Sequence, residues 1–153
     1  MKKFLYILML LPFMLGACSD DKDFPSVDIT IAMSGAAQQD GVVYAVQGTP
    51  FNIDAITVRS LNGNAAALTT VAYYWNNVLS SINPVSPYAV SWNTQMLPVG
   101  DNVLQLQTSL LEVDKSIVTA LLTVPVRVVA SEEDLPEGLT LGSVSQTITV
   151  NPE

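Results

Sequence analysis

Wherever residues 27–150 show a clear periodicity, apolar and polar side chains alternate with a period of two, and no stretch of eleven or more residues carries a convincing 3.6-residue period. A chain patterned this way has strand faces to bury and no helical stripe, so an all-β fold is expected. Val27, Ile29, Ile31 and Met33 alternate with Asp28, Thr30 and Ala32 in a first half-buried strand; a polar turn over 35–41 and a short strand over 42–46 follow. Gln47-Gly48-Thr49-Pro50 breaks the chain before a strand over 51–59. There Phe51, Ile53, Ala55 and Thr57 are expected on one face, with Asn52, Asp54, Ile56 and Val58 on the other. After a turn at Asn62-Gly63, residues 70–75 place Val71, Tyr73 and Trp75 inward and Ala72 and Tyr74 outward. Tyr88, Val90 and Trp92 form another alternating triplet, and strands are expected over 102–108 and 117–129. Pro125 inside the last of these cannot donate to a ladder, so it should mark a bulge, an edge or a change of pairing partner. Turn signals recur about every ten residues, as in a sandwich of two sheets.

A chain of 153 residues is long enough for one domain with a real core. Its charge excludes several functions. Six basic against fourteen acidic residues give a net charge of −8, the wrong sign for a phosphate-binding surface, so no nucleic acid is expected as a partner. With no histidine and one cysteine, Ser-His-Asp and Cys-His catalysis and His- or Cys-rich metal sites are excluded.

The first 23 residues read as an address. Lys2 and Lys3 precede an apolar run over 4–15 that is too short to span a bilayer and matches the core of a secretory signal. Leu15-Gly16-Ala17-Cys18 resembles the lipobox of bacterial lipoproteins, in which the cysteine is diacylated and becomes the first residue. The resemblance implies a signal peptide over 1–17, lipidation of Cys18 and a tether over 18–26, leaving a mature chain of net charge −10. Ser19, Asp20, Asp21 and Asp23 resemble the acidic export tag that sends some lipoproteins of Gram-negative bacteria across the outer membrane. The expected location is that membrane, lipid-anchored and facing outward.

The stretch from Val71 to Val128 carries a second resemblance. Its markers are an aromatic strand ending at Trp75-Asn76-Asn77, then Pro87-Tyr88 and Trp92-Asn93-Thr94, then Leu97-Pro98-Val99-Gly100 leading to Leu104. This order is similar to that of bacterial immunoglobulin-like domains. It departs from their pattern at 110–115, where an apolar segment without glycine replaces the usual acidic loop. The resemblance implies an immunoglobulin-like β-sandwich of about seven to nine strands over 27–129. No catalytic residues come with it. Residues 130–153 read as an acidic loop and one more strand, with Val144, Gln146, Ile148 and Val150 on one parity; the strand is expected either to extend a sheet of the same domain at an edge or to stay loosely attached to it.

Carboxylates remain as acid-base candidates, and Asp28, Asp40, Asp54, Asp101, Glu112 and Asp114 are expected on turns and outer strand faces without a facing pair. Neither Glu132, Glu133, Asp134 and Glu137 nor the acids after Cys18 have the spacing of a calcium loop, so no metal or cofactor is expected. Exposed aromatic rings can stack on sugars. By parity Tyr74 is the first candidate for ligand binding and Tyr44 the second, while Trp75 and Trp92 belong to the core. The expectation is a non-enzymatic surface lipoprotein acting as a binding or spacer module for a protein or glycan. Its alternative is an accessory glycan-binding lipoprotein of an outer-membrane nutrient-uptake system.

Overall fold

The structure, a computed structural model, describes residues 24–151. The expected signal peptide, Cys18 and the acidic residues that follow it lie outside the described residues. Nine strands follow one another: β1 (Val27–Gln39), β2 (Val42–Val46), β3 (Pro50–Ser60), β4 (Ala66–Trp75), β5 (Val78–Asn83), β6 (Val90–Asn93), β7 (Gly100–Glu112), β8 (Val118–Val129) and β9 (Gly142–Val150). They pair into two layers, β9-β1-β3-β6 and β5-β4-β7-β8-β2, joined where the end of β1 leaves β3 and β9 and pairs with β2. With β1, β3, β4, β6, β7 and β8 as framework strands, the first, second and fourth form one sheet and the third, fifth and sixth the other. That is the order of an immunoglobulin-type sandwich.

The alternation is what builds the core. Val27, Ile29, Ile31 and Met33 from β1 meet Leu104, Leu106 and Leu110 from β7 and Leu122, Val124, Val126 and Val128 from β8 in one buried cluster. Phe51, Tyr73, Trp75 and Trp92 pack ring on ring across the two sheets, with Trp92 centroids 5.4 Å from those of Tyr73 and Trp75. Edge-to-face geometry at this spacing adds about 0.5–1.5 kcal/mol per pair beyond the area buried.

Three sequence expectations need correction. Residues 35–39 are strand, not turn: β1 runs on to Gln39, and the reversal is the two-residue Asp40-Gly41, with φ of 52° and 77°. Paired positive φ values make it a type I′ hairpin turn, for which Asp-Gly is a strong local signal. Gly35 permits the crossing between sheets, because its φ is +69° and a Cβ there would sit 2.1 Å from the Pro50 carbonyl oxygen. In β3 the expected parity fails halfway. Met33 pairs with Ile53 but Ala32 with Ala55, so Asp54 is an extra residue and Ile56 turns into the core while Thr57 faces out. Finally, β7 continues as strand to Glu112, past the expected end at Thr108, and residues 78–83, where the alternation marks no strand, form β5 and pair with β4.

Pro125 stands where β8 gains its second neighbour, since parallel pairing with β2 begins at Val126. β9 pairs with β1 from Val150 opposite Val27 to Ser143 opposite Ser34.

Candidate binding face

In the middle of the sheet the outward positions of β7 and β8 are Val103, Gln105, Gln107 and Ser109, and Thr119, Leu121, Thr123 and Pro125. β4 adds Thr70, Ala72 and Tyr74, and β5 adds Leu79 and Ile82 as their cross-strand neighbours. None of these side chains is ionisable except the phenol of Tyr74. The face ends at an exposed ion pair, with Arg127 Nε 2.8 Å from Asp101 Oδ1. Past that pair, whose carboxylate belongs to β7, a chain with a net charge of −8 keeps the middle of four adjacent strands clear of carboxylates on one side.

Tyr74 lies on this face. It lines an open groove of about 260 Å³ together with Thr69, Thr70, Ala72, Gln107 and Ser109. Its hydroxyl donates to Gln107 Oε1 at 3.3 Å, which holds the ring against the sheet. Tyr44 lies on β2, beside Arg127. It does not join Tyr74: three strand steps and four residues of rise separate them, roughly 20 Å, against the 4.5–7 Å between stacked rings. Trp75 and Trp92 are buried between the sheets. Trp92 Nε1 donates to Ser80 Oγ at 2.8 Å, whereas Trp75 Nε1 is buried without a partner.

The carboxylates are distributed, and four of them are engaged locally. Asp28 accepts from Thr149 at 2.7 Å and from Arg59 at 3.0 Å, and these bonds hold its carboxyl below the ordinary range. Asp101 is lowered likewise by Arg127. Asp54 accepts from Ser34 at 3.0 Å, and Asp134 caps a 3₁₀ turn by accepting from Ser131. Among the described residues no group of three or more acidic or thiol side chains is placed to hold a metal ion.

Glu112 is the residue the sequence reading misplaced. It was expected on a turn or outer face, yet it is 4% exposed and points between the sheets. Its Oε1 accepts from the Ser60 hydroxyl and from the side-chain amides of Asn62 and Asn64, both at 3.3 Å, and its Oε2 from the Ser26 N–H at 2.9 Å. Burial pushes this carboxyl up, but the Ser60 hydroxyl, Ser26 N–H and two amides together hold it below its ordinary value. The donors are all neutral, so the site closes one end of the sandwich where residues 26, 60 and 112 converge. Ser26 also donates to Asn151 there, at 3.2 Å. A signal existed in the sequence: at Glu112 the alternation of Leu104, Leu106, Thr108 and Leu110 reaches an inward position.

A second hydrogen-bonded path crosses the core. The Tyr73 hydroxyl donates to the Tyr88 carbonyl, and the Tyr88 hydroxyl donates to the Leu68 carbonyl at 2.7 Å. Burial, and then the neighbouring Tyr88, push the Tyr73 phenol well above its ordinary range, so it stays a donor.

No protein-family model matches the chain, and no curated protein matches it. Among solved structures the chain is similar to a structure of Clostridium thermocellum CbhA fibronectin(III)-like modules. The identity is 13%, the match covers 63% of this chain and 97% of that one, and the TM-score is 0.41.

Proposed function

We propose that this protein is a non-enzymatic lipoprotein, anchored through Cys18 in the outer membrane of a Gram-negative bacterium and facing outward. Its sandwich serves as a binding or spacer module. The observation that carries the binding role is the middle of the β5-β4-β7-β8 face, uncharged up to the Asp101–Arg127 pair, on an otherwise acidic chain, because a neutral surface meets a neutral partner without stripping water from ions. In support of the non-enzymatic reading, Asp28, Asp54, Asp101 and Glu112 each spend their oxygens on structural donors.

The groove around Tyr74 favours one specific form of this role, an accessory glycan-binding lipoprotein of a nutrient-uptake system. Threonine, serine and glutamine side chains there offer donors and acceptors suited to sugar hydroxyls, beside one phenol ring. A glycan array probed with wild type and Tyr74→Ala tests it: loss of a wild-type signal in the variant supports glycan binding, and an unchanged or absent signal removes it. A barrel transporter and glycoside hydrolases, if found encoded beside the gene, would favour the same form. The anchor is tested separately. Cys18→Ala should abolish labelling by radioactive palmitate. Protease added to whole cells should degrade the wild type but spare a variant with Asp20, Asp21 and Asp23 changed to alanine. Wild type protected in intact cells replaces outward display with a periplasmic location.

A further inference from the structure

β9 has β1 on one side and no strand on the other among the described residues. A strand edge presents unpaired N–H and C=O groups, and proteins blunt such edges with lysine, proline, bulges or short strands. β9 carries none of these: it is nine residues long, uncharged and free of proline. Its register against β1 is continuous from Val150 to Ser143. The edges at β5 and β6 differ. β5 is broken by a bulge at Ser80, and β6 spans four residues.

A second observation falls at the centre of the same strand. Gln146 shares the half-buried side of β9 with Val144, Ile148 and Val150, and its Oε1 is buried without a hydrogen-bond partner. An amide oxygen left in that state is costly, by more than an apolar side chain of the same shape would be. An amide swung toward the open edge of β9, where a donor from a second chain can meet it, would lose that cost.

We propose that the chain forms a homodimer by antiparallel pairing of β9 with β9 of a second copy, about a two-fold axis at Gln146. Residue 146 is the midpoint of Gly142–Val150, so the register is self-complementary. Val144 of each copy faces Ile148 of the other, and Ser145 faces Thr147. The two Gln146 side chains come opposite one another with Cβ atoms about 4.5–5.5 Å apart, close enough for each Nε2 to donate to the other Oε1. The sheet then runs β6-β3-β1-β9 and, through the axis, β9-β1-β3-β6 of the second copy. A contact of this length is small and therefore transient. Both copies are acidic, so added salt strengthens it by screening their repulsion.

Sedimentation of the full chain carrying Cys18→Ser, in non-ionic detergent, tests the proposal. The expected result is a monomer–dimer equilibrium at about 10–500 µM whose dimer fraction rises with sodium chloride. Gln146→Lys places two ammonium groups across the axis and should leave a monomer with an unchanged circular dichroism spectrum. Register is read by mild oxidation in the same background. Gln146→Cys should cross-link to itself, whereas Ser143→Cys should not, because the two 143 positions lie roughly 20 Å apart along the paired strands. A wild type that stays monomeric, species larger than a dimer, a Gln146→Lys variant that dimerises undiminished, or equal cross-linking at 143 and 146 overturns the proposal.

Discussion

The two ends of the sandwich interior are closed by different chemistry. At one end Phe51, Tyr73, Trp75 and Trp92 pack ring against ring, with centroids 5.4–6.2 Å apart. At the other, Glu112 gathers Ser60, Ser26, Asn62 and Asn64 around one carboxylate. Ring packing is non-directional and spread over many contacts, so its loss scales with the volume removed. The carboxylate depends on a match between acceptor and donors, and a small change in its chemistry leaves buried groups unpaired whatever the volume.

The aromatic end should give the largest effect. Trp92→Ala empties the space between Phe51, Tyr73 and Trp75 and frees Ser80, and it should cost about 3–5 kcal/mol in urea denaturation. A Trp92→Phe variant should recover much of that loss, since a smaller aromatic ring still packs against Phe51, Tyr73 and Trp75. If Trp92→Phe is as damaging as Trp92→Ala, the aromatic end is as directional as the carboxylate end and the contrast breaks.

At the Glu112 end, volume should matter less than chemistry. Glu112→Gln is nearly isosteric yet replaces an acceptor by a donor, facing either the Ser26 N–H or the Ser60 hydroxyl, and should cost about 1–3 kcal/mol. Glu112→Leu should cost at least as much. A neutral Glu112→Gln measured by the same denaturation would show that the donors turn to water without penalty.

The same end should respond to acid. Because the folded Glu112 carboxyl sits below its ordinary value, it contributes stability that is present above the unfolded pKa of about 4.3 and is lost as pH falls through the folded pKa. Wild type should therefore lose more stability between about pH 6 and pH 3 than Glu112→Gln does. Asp28 and Asp101, lowered by their own partners, contribute to both proteins alike and cancel in the difference. Parallel pH profiles would mean that Glu112 is not the acid-sensitive group.

Tyr74 gives the smallest expected effect. It lies outside both closures, so Tyr74→Ala should change stability by less than about 1 kcal/mol while removing the ring from the groove. A loss as large as that of Trp92→Ala would place Tyr74 in the core and end its candidacy as a binding residue.

What the sequence determined by itself was local. Alternation in 27–33, 71–75 and 104–110 specified strands and their inward sides, because the faces of a pleated chain follow from neighbours two residues apart. What the tertiary structure decided was which strand meets which. The bulge at Asp54 turns Ile56 inward only because β1 supplies one residue where β3 supplies two, and a single chain segment read alone shows no such mismatch. Gly35 reads as a turn until Pro50 is seen packed against it. Glu112 reads as a surface acid until Ser26, Ser60, Asn62 and Asn64 surround it, with Ser26 separated from it by 86 positions. Periodicity is carried by adjacent residues, whereas register and the burial of a polar group depend on partners that only chain folding brings together.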